Sequence, residues 1–226
     1  MMGIIWSDEM VLGDYLISHK IDRFESYAKD ILNKLNKKTF IGIDLYDLCH
    51  NFGILVKREL VPNGLNCAIP SSKGRRGVIN LCIGESEREE RVNLAHEFAH
   101  LYIHQRSQLN QNSTEIYIQE IEAFKLASNI LVPSKELLKF PVSPDLNTTY
   151  IIADEISEHF NVTPEFAYQR LLYFQKNYKF GREEEEYVMY NMTMHDVSFN
   201  KSLQTKIKYI DLVILKHSDS NTVSLL

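Results

Sequence analysis

The stretch NLAHEFAHLYIH, residues 93–104, decides how this sequence is interpreted. It places His96, His100 and His104 at intervals of four residues, with Glu97 directly after the first histidine. Residues i and i+4 of an α-helix lie on one face with Cβ atoms about 5–6 Å apart, so two imidazoles at this spacing can bind one ion. Glu97 is turned from that face by about 100° and would flank the ion. The pattern predicts a metal-binding helix whose glutamate acts as a general base.

A catalytic zinc ion takes three protein ligands and keeps a fourth position open, so a third ligand is needed beside the two histidines. The metzincin spacing would supply it with a glycine at position 103 and a histidine at position 106. The sequence has Ile103 and Arg106 at these positions, which excludes that arrangement. The third ligand must therefore come from another segment of the chain.

The segment QEIEAFKLASNILVP, residues 119–133, offers two carboxylates, Glu120 and Glu122. Glu120 lies three residues before Ala123 and seven before Ala127, on the small-residue face through which this helix can approach a neighbour. Glu122 falls outside that face. Glu120 is thus favoured as the third ligand, with Glu122 as the alternative.

The segments around the motif predict an α+β fold, in which a small, mostly antiparallel sheet packs on a helical bundle. Three apolar runs at 54–60, 65–69 and 78–83 are separated by Pro, Asn and Gly and predict the strands of this sheet. Ser86, followed by Glu89, has the form of a capping box and predicts the start of the motif helix. Other helices are predicted over residues 22–37, 44–52, from about 114 to 132, 149–160 and 164–177.

The domain prediction places one domain over residues 1–178 and a C-terminal extension of β character over residues 179–226. The extension contains the strand-like runs YVMYNMTM and IKYIDLVIL. The glutamate run at 183–186 is interpreted as a solvated linker. Within the first domain, the helix pair at 149–177 resembles a helix-turn-helix, with Gln169 and Arg170 on its second helix.

Composition narrows the class of protein further. The 226 residues carry a net charge of −5, which argues against a general nucleic-acid binder. The three cysteines are widely spaced without a CxxC motif, as is typical of reduced thiols. The N-terminus has no basic region, and no apolar run approaches the length of a membrane span. These features predict a cytoplasmic protein without a membrane partner.

The stretch LAHEFAHLYIH, followed about twenty residues later by EIEAFKLASNILVP, resembles the ImmA/IrrE metallopeptidases. The family pattern is AHExxH followed by ExEAxxxAxx(I/L)LxP, and the resemblance covers roughly residues 20–178. It implies a zincin-like fold and a zinc ion held by His96, His100 and Glu120, with Glu97 as the general base. Family members often carry a histidine at the position of His104, which makes this residue a candidate to orient a metal ligand or to stabilise the transition state; the alternative is a polar residue at the helix exit without such a role.

The resemblance also implies a function. These proteins are zincins of mobile elements and bacterial stress-response regulators. By similarity, the chain is expected to be a zinc-dependent endopeptidase that cleaves a helix-turn-helix repressor encoded nearby and so releases a mobile element or stress regulon. We expect the substrate to pair as an extended strand with an edge of the sheet, for which the run GVINLCI at 77–83 is the candidate.

One departure from the family pattern keeps an alternative open. Relatives commonly carry Asn or Asp four residues after the ligand glutamate, whereas this chain has Phe124. Loss of a group that orients a ligand histidine typically costs about 10–100-fold in metal affinity or activity. The alternative is a non-proteolytic, zinc-containing regulator that acts by binding protein or DNA. A single arginine, Arg170, supplies little positive charge for DNA, so direct DNA binding is not favoured.

Overall fold

A chain of short helices and strands surrounds the motif helix in this computed structural model, which describes residues 10–60, 66–71, 77–104, 112–144, 149–150, 153–184 and 206–209. The helices are α1 (Arg23–Lys34), α2 (Leu45–Asn51), α3 (Glu87–Ile103), α4 (Ser113–Leu131), α5 (Ser134–Leu137), α6 (Ala153–Phe160) and α7 (Pro164–Asn177). The strands are β1 (Leu16–His19), β2 (Ile54–Glu59), β3 (Cys67–Pro70), β4 (Gly77–Cys82), β5 (Ser143–Pro144), β6 (Thr149–Tyr150), β7 (Tyr178–Glu184) and β8 (Lys206–Tyr209). The predicted α+β class is confirmed.

The helices begin where the side chains can cap them. The predicted capping box of α3 is present: Ser86 N–H donates to Glu89 Oε2 at 2.8 Å, and Glu89 N–H donates to Ser86 Oγ at 3.3 Å. Asp22 accepts two backbone N–H groups at the start of α1. Thr163 caps α7, and Pro164 takes its first position. Because each cap satisfies N–H groups that lack partners within the helix, these boundaries follow from local sequence.

The sheet beside the motif helix has the order β2-β4-β3 and is mixed: β2 pairs with β4 in parallel, and β3 pairs with β4 antiparallel. The prediction of a mostly antiparallel sheet therefore needs correction for this sheet, although the pairs β1–β7, β5–β6 and β7–β8 are antiparallel. The prediction that residues 77–83 form a sheet edge is wrong, because β4 lies in the centre. The side chains of Ile79 and Leu81 in β4 are fully buried. A strand in the centre of a sheet removes more of its apolar surface from water than a strand at the edge does.

The sheet lies very close to the C-terminal half of α3. A Cβ atom at Gly77 would lie 2.4 Å from the Ile69 carbonyl oxygen and 3.0 Å from Leu101 Cδ2, so no larger residue fits without displacing the backbone. On α3, Leu94 and Phe98 are also buried in the core. The helix is therefore held on its apolar faces, and only a limited part of its surface is left for the histidines.

The helix pair α6–α7 packs against the end of α4. Arg170 of α7 is 1% exposed. Its Nε–H donates to the Val132 carbonyl at 2.9 Å, and its Nη2 donates to Asn129 Oδ1 at 3.1 Å and Ser134 Oγ at 2.8 Å. The hydrogen bonds of this guanidinium thus go to the carboxyl end of α4 and the first residue of α5.

The strand β7 joins the C-terminal residues to the start of the chain. It pairs with β1 and with β8, so its residues Glu183 and Glu184 lie in a strand and the linker interpretation is wrong for them. The strand β8 lies at the beginning of the run IKYIDLVIL. Glu185, Glu186 and the run YVMYNMTM lie outside the described residues. The division of the chain at residue 178 stays a prediction, and that residue is the first of β7.

Two predictions from composition can be compared with the described part of the chain. All three cysteines are free thiols, with Cys49 buried and Cys67 and Cys82 half-buried. None of the described helices has the length and apolar character that a membrane crossing requires. The cytoplasmic location stays a prediction.

Candidate metal centre

The candidate site lies between α3 and α4, which pack against each other. Small, fully buried residues on both helices, Ala95 and Ala99 on α3 and Ala123 and Ala127 on α4, allow the two backbones to approach closely. The alanine face predicted for the second helix is therefore the buried face of α4. Glu120 lies one turn before this face begins and is carried toward the histidines of α3.

Three side chains converge at the site. His96 Nε2 lies 2.9 Å from Glu120 Oε2, His100 Nε2 lies 3.3 Å from Glu120 Oε1, and the two histidine Nε2 atoms are 3.0 Å apart. Ligand atoms about 2.0–2.1 Å from a tetrahedral ion lie about 3.3 Å from one another. The three residues form a group that could hold a metal ion. Two imidazole nitrogens and one carboxylate are donors that zinc prefers, so the residues fit this ion.

Glu97 lies beside this group without belonging to it. It is 9% exposed, while the neighbouring histidines and Glu120 face one another. The backbone N–H of Ala68 in β3 hydrogen-bonds to its carboxylate. Burial raises the pKa of Glu97 above its ordinary value, the two nearby histidines act in the opposite direction, and Glu120 adds to the increase. A carboxyl group with a raised pKa both accepts and returns a proton more readily near neutral pH.

The alternative ligand, Glu122, is engaged elsewhere. Its carboxylate forms an ion pair with Arg23 of α1, and its other oxygen lies 3.9 Å from His104 Nε2. Within the described residues, Glu122 is absent from the group that could hold a metal. The geometry thus separates the two glutamates in the way that the alanine face predicts.

His104 attaches the end of α3 to α4. Its Nε2–H donates to the Gln119 carbonyl at 3.3 Å, directly before Glu120 in the chain. Its ring centroid is 5.5 Å from that of His100. Burial, followed by the charge of His100, lowers the pKa of His104, which favours the neutral imidazole. A second-shell role for His104 stays a prediction, and its position against the Glu120 turn is compatible with it.

Phe124 contacts an aromatic side chain of α7. Its ring packs edge-on against Phe166 of α7, with centroids 5.4 Å apart. The side chain that replaces the usual Asn or Asp therefore contributes to the contact between α4 and α7.

The Ala68 N–H could not be identified from the sequence as a partner of Glu97, because every residue type except proline carries the same backbone donor.

The zinc content of the purified protein tests the site directly. We expect about one zinc ion per chain after expression with added zinc, because two packed helices supply three ligands. His96→Ala and His100→Ala are each expected to lower occupancy sharply, since two protein ligands rarely hold zinc against water. Metal analysis by mass spectrometry measures this. A folded wild-type protein without zinc would contradict the assignment.

The two glutamates of α4 form a matched pair for a second test. Glu120→Ala is expected to lose zinc, whereas Glu122→Ala is expected to retain it, because of these two carboxylates it is that of Glu120 which faces His96 and His100. Both variants remove one carboxylate from the same turn, so helix propensity and net charge change equally. Metal content and thermal unfolding should be measured on both proteins. The reverse result would show that Glu122 is the ligand.

A family model matches the part of the chain that contains the site. The model of the IrrE N-terminal-like domain matches residues 49–172, which are 124 of the 226 residues and include α3, α4 and the whole site. A solved Mycobacterium tuberculosis transcriptional regulator aligns with 16% identity and a TM-score of 0.47, over 70% of this chain and 47% of that one. The chain thus spans about half the length of that regulator. No curated protein matches the sequence. On the family match, the chain belongs to the IrrE N-terminal-like domain family of zinc-dependent metallopeptidases.

Proposed function

We propose that this protein is a zinc-dependent endopeptidase. One observation carries the proposal: the convergence of His96, His100 and Glu120 on one point, with the buried carboxylate of Glu97 beside it. A structural zinc site is closed by four protein ligands, whereas three such residues converge here in the part of the chain that the structure describes. Three ligands leave a position for water, and the adjacent buried carboxylate of Glu97 can act as its general base.

The residues have distinct roles in this reaction. His96, His100 and Glu120 would hold the zinc ion, which when bound supplies a Lewis acid for the scissile carbonyl and increases the acidity of water. Glu97 accepts a proton from the attacking water and then delivers it to the leaving amine nitrogen.

The substrate is proposed to bind as an extended strand along β3. Because β4 is paired on both sides, the edges of this sheet are β2 and β3, and β3 is the edge whose backbone reaches Glu97. A peptide that adds to β3 gains main-chain hydrogen bonds and passes Glu97 at the same time. This replaces the earlier candidate, residues 77–83, with the neighbouring strand.

The proposed substrate class is a helix-turn-helix repressor encoded near this gene, whose cleavage derepresses a mobile element or stress regulon. Support comes from the resemblance of the paired motifs to ImmA/IrrE proteins and from the family match. The test is co-expression with the repressor of the neighbouring gene, followed by gel analysis. A shortened repressor with the wild-type protein, and an intact one with Glu97→Gln, is the expected result.

A non-proteolytic, zinc-containing regulator that acts by protein or DNA binding is the second candidate. It is favoured by Phe124, which packs on Phe166 where relatives have a polar residue. Such a regulator would bind its partner whether or not Glu97 can accept a proton. Zinc content does not separate the two candidates, whereas the Glu97→Gln variant does.

A further inference from the structure

Glu85 lies in the turn between β4 and α3 and has no assigned role. Its Oε1 atom accepts two hydrogen bonds, from Asn66 Nδ2 at 2.8 Å and from Asn93 Nδ2 at 2.9 Å. Asn66 in turn accepts the backbone N–H of Cys82 through its Oδ1 atom at 2.7 Å. A single carboxylate oxygen thus connects the residue before β3, the end of β4 and the first half of α3.

The positions of Asn66 and Asn93 relate this connection to Glu97. Asn93 precedes Glu97 by one helical turn, so both side chains lie on the same flank of α3. Asn66 precedes Ala68 by two residues, and the Ala68 N–H bonds to Glu97. Among the described hydrogen bonds, the β3 segment is thus joined to α3 through Glu85 and through the Glu97 carboxylate.

We propose that Glu85 is a positioning residue that holds the edge strand β3 at a set distance from α3, so that a peptide paired with β3 passes Glu97 at reacting distance. The inference rests on the proposed protease function for its effect on cleavage, but not for its effect on β3. If Glu85 were removed, one of the hydrogen bonds described above would still join β3 to α3, namely the bond between the Ala68 N–H and the Glu97 carboxylate.

Both asparagine hydrogen bonds go to the Oε1 atom of Glu85, so two substitutions of this residue can test the proposal. Among the described residues, the Glu85 Oε2 atom is buried and has no hydrogen-bond partner. A glutamine can therefore place its carbonyl oxygen where Oε1 lies and accept both amides. Glu85→Gln should keep the connection, and Glu85→Ala should remove it. A role for Glu85 as an acid, a base or a metal ligand predicts instead that both substitutions are harmful.

Hydrogen exchange of β3 measures the connection without reference to activity. In the full-length, zinc-loaded protein, Glu85→Ala is expected to speed exchange of the Cys67–Ile69 amides by about tenfold or more, because two hydrogen bonds to a charged group are lost. Glu85→Gln is expected to exchange like the wild type. Glu59→Ala, which removes an exposed carboxylate from the opposite edge strand, is the control and should leave β3 unchanged.

Cleavage of the repressor identified by co-expression supplies the second readout. Glu85→Ala is expected to lower kcat/KM by about 10²-fold with zinc content unchanged, since small displacements of bound substrate cost this much. Glu85→Gln should stay close to the wild type. Unchanged β3 exchange in Glu85→Ala, or equal losses in the Gln and Ala variants, would overturn the proposal. If the wild type cleaves no repressor, the protease function fails while the exchange result still decides the role of Glu85.

Discussion

Replacing Glu97 with glutamine is expected to lower the cleavage rate by about 10²–10⁴-fold while leaving zinc bound and the fold intact. The amide has the size of the carboxylate and can still accept the Ala68 N–H through its oxygen. It cannot accept a proton from water at neutral pH, so the general base is lost. Glu97 lies outside the group of three residues that could hold the metal, which is why zinc should remain.

The matched control is Glu122→Gln. It removes the same charge near the site, but from a carboxylate that pairs with Arg23 instead of facing His96 and His100. This variant is expected to retain most of the activity. Repressor cleavage should be followed on gels, with zinc content and thermal unfolding measured on the same samples. If Glu97→Gln releases the regulon in cells as well as the wild type does, the protein does not act by catalysis and the partner-binding function takes its place.

Replacing Arg170 with methionine is expected to lower the free energy of unfolding by about 3 kcal/mol. Its guanidinium is fully buried. Burial lowers the pKa of this group to about 10, which is still well above neutral pH, so the group stays protonated. It donates to Val132, Asn129 and Ser134 at the carboxyl end of α4. Methionine fills similar volume but leaves these acceptors without their donor, at about 1–3 kcal/mol for each buried group that finds no other.

Denaturant unfolding of Arg170→Met beside two companions tests this interpretation. Arg170→Lys keeps the charge but lacks the planar fork that reaches three acceptors, so an intermediate loss is expected. Lys176→Met, at an exposed position on the same helix, should change stability by no more than about 0.5 kcal/mol. A normal unfolding midpoint for Arg170→Met would contradict the buried network and reopen the interpretation of α7 as a nucleic-acid-reading helix.

The sequence alone determined the features that depend on local spacing. The start of α3 follows from Ser86 and Glu89, because a capping box satisfies backbone donors within one turn. The convergence of His96 and His100 follows from the helical period. The position of Glu120 beside the two histidines was also predictable, since small residues mark the face of α4 that meets its neighbour.

Features that depend on contacts between distant segments required the tertiary structure. The sequence patterns of β2, β3 and β4 do not specify the order of these strands in the sheet. Residues 77–83 were wrongly predicted as an edge, because the strand order depends on which strand buries most apolar surface against α3. The burial of Arg170 against the end of α4 could not be predicted from its place in a helix pair, because its acceptors lie in a distant segment of the chain. The Ala68 N–H and the Glu85 connection were also undetectable, because a backbone donor has no residue signature and a buried carboxylate resembles a surface one until its partners are brought to it.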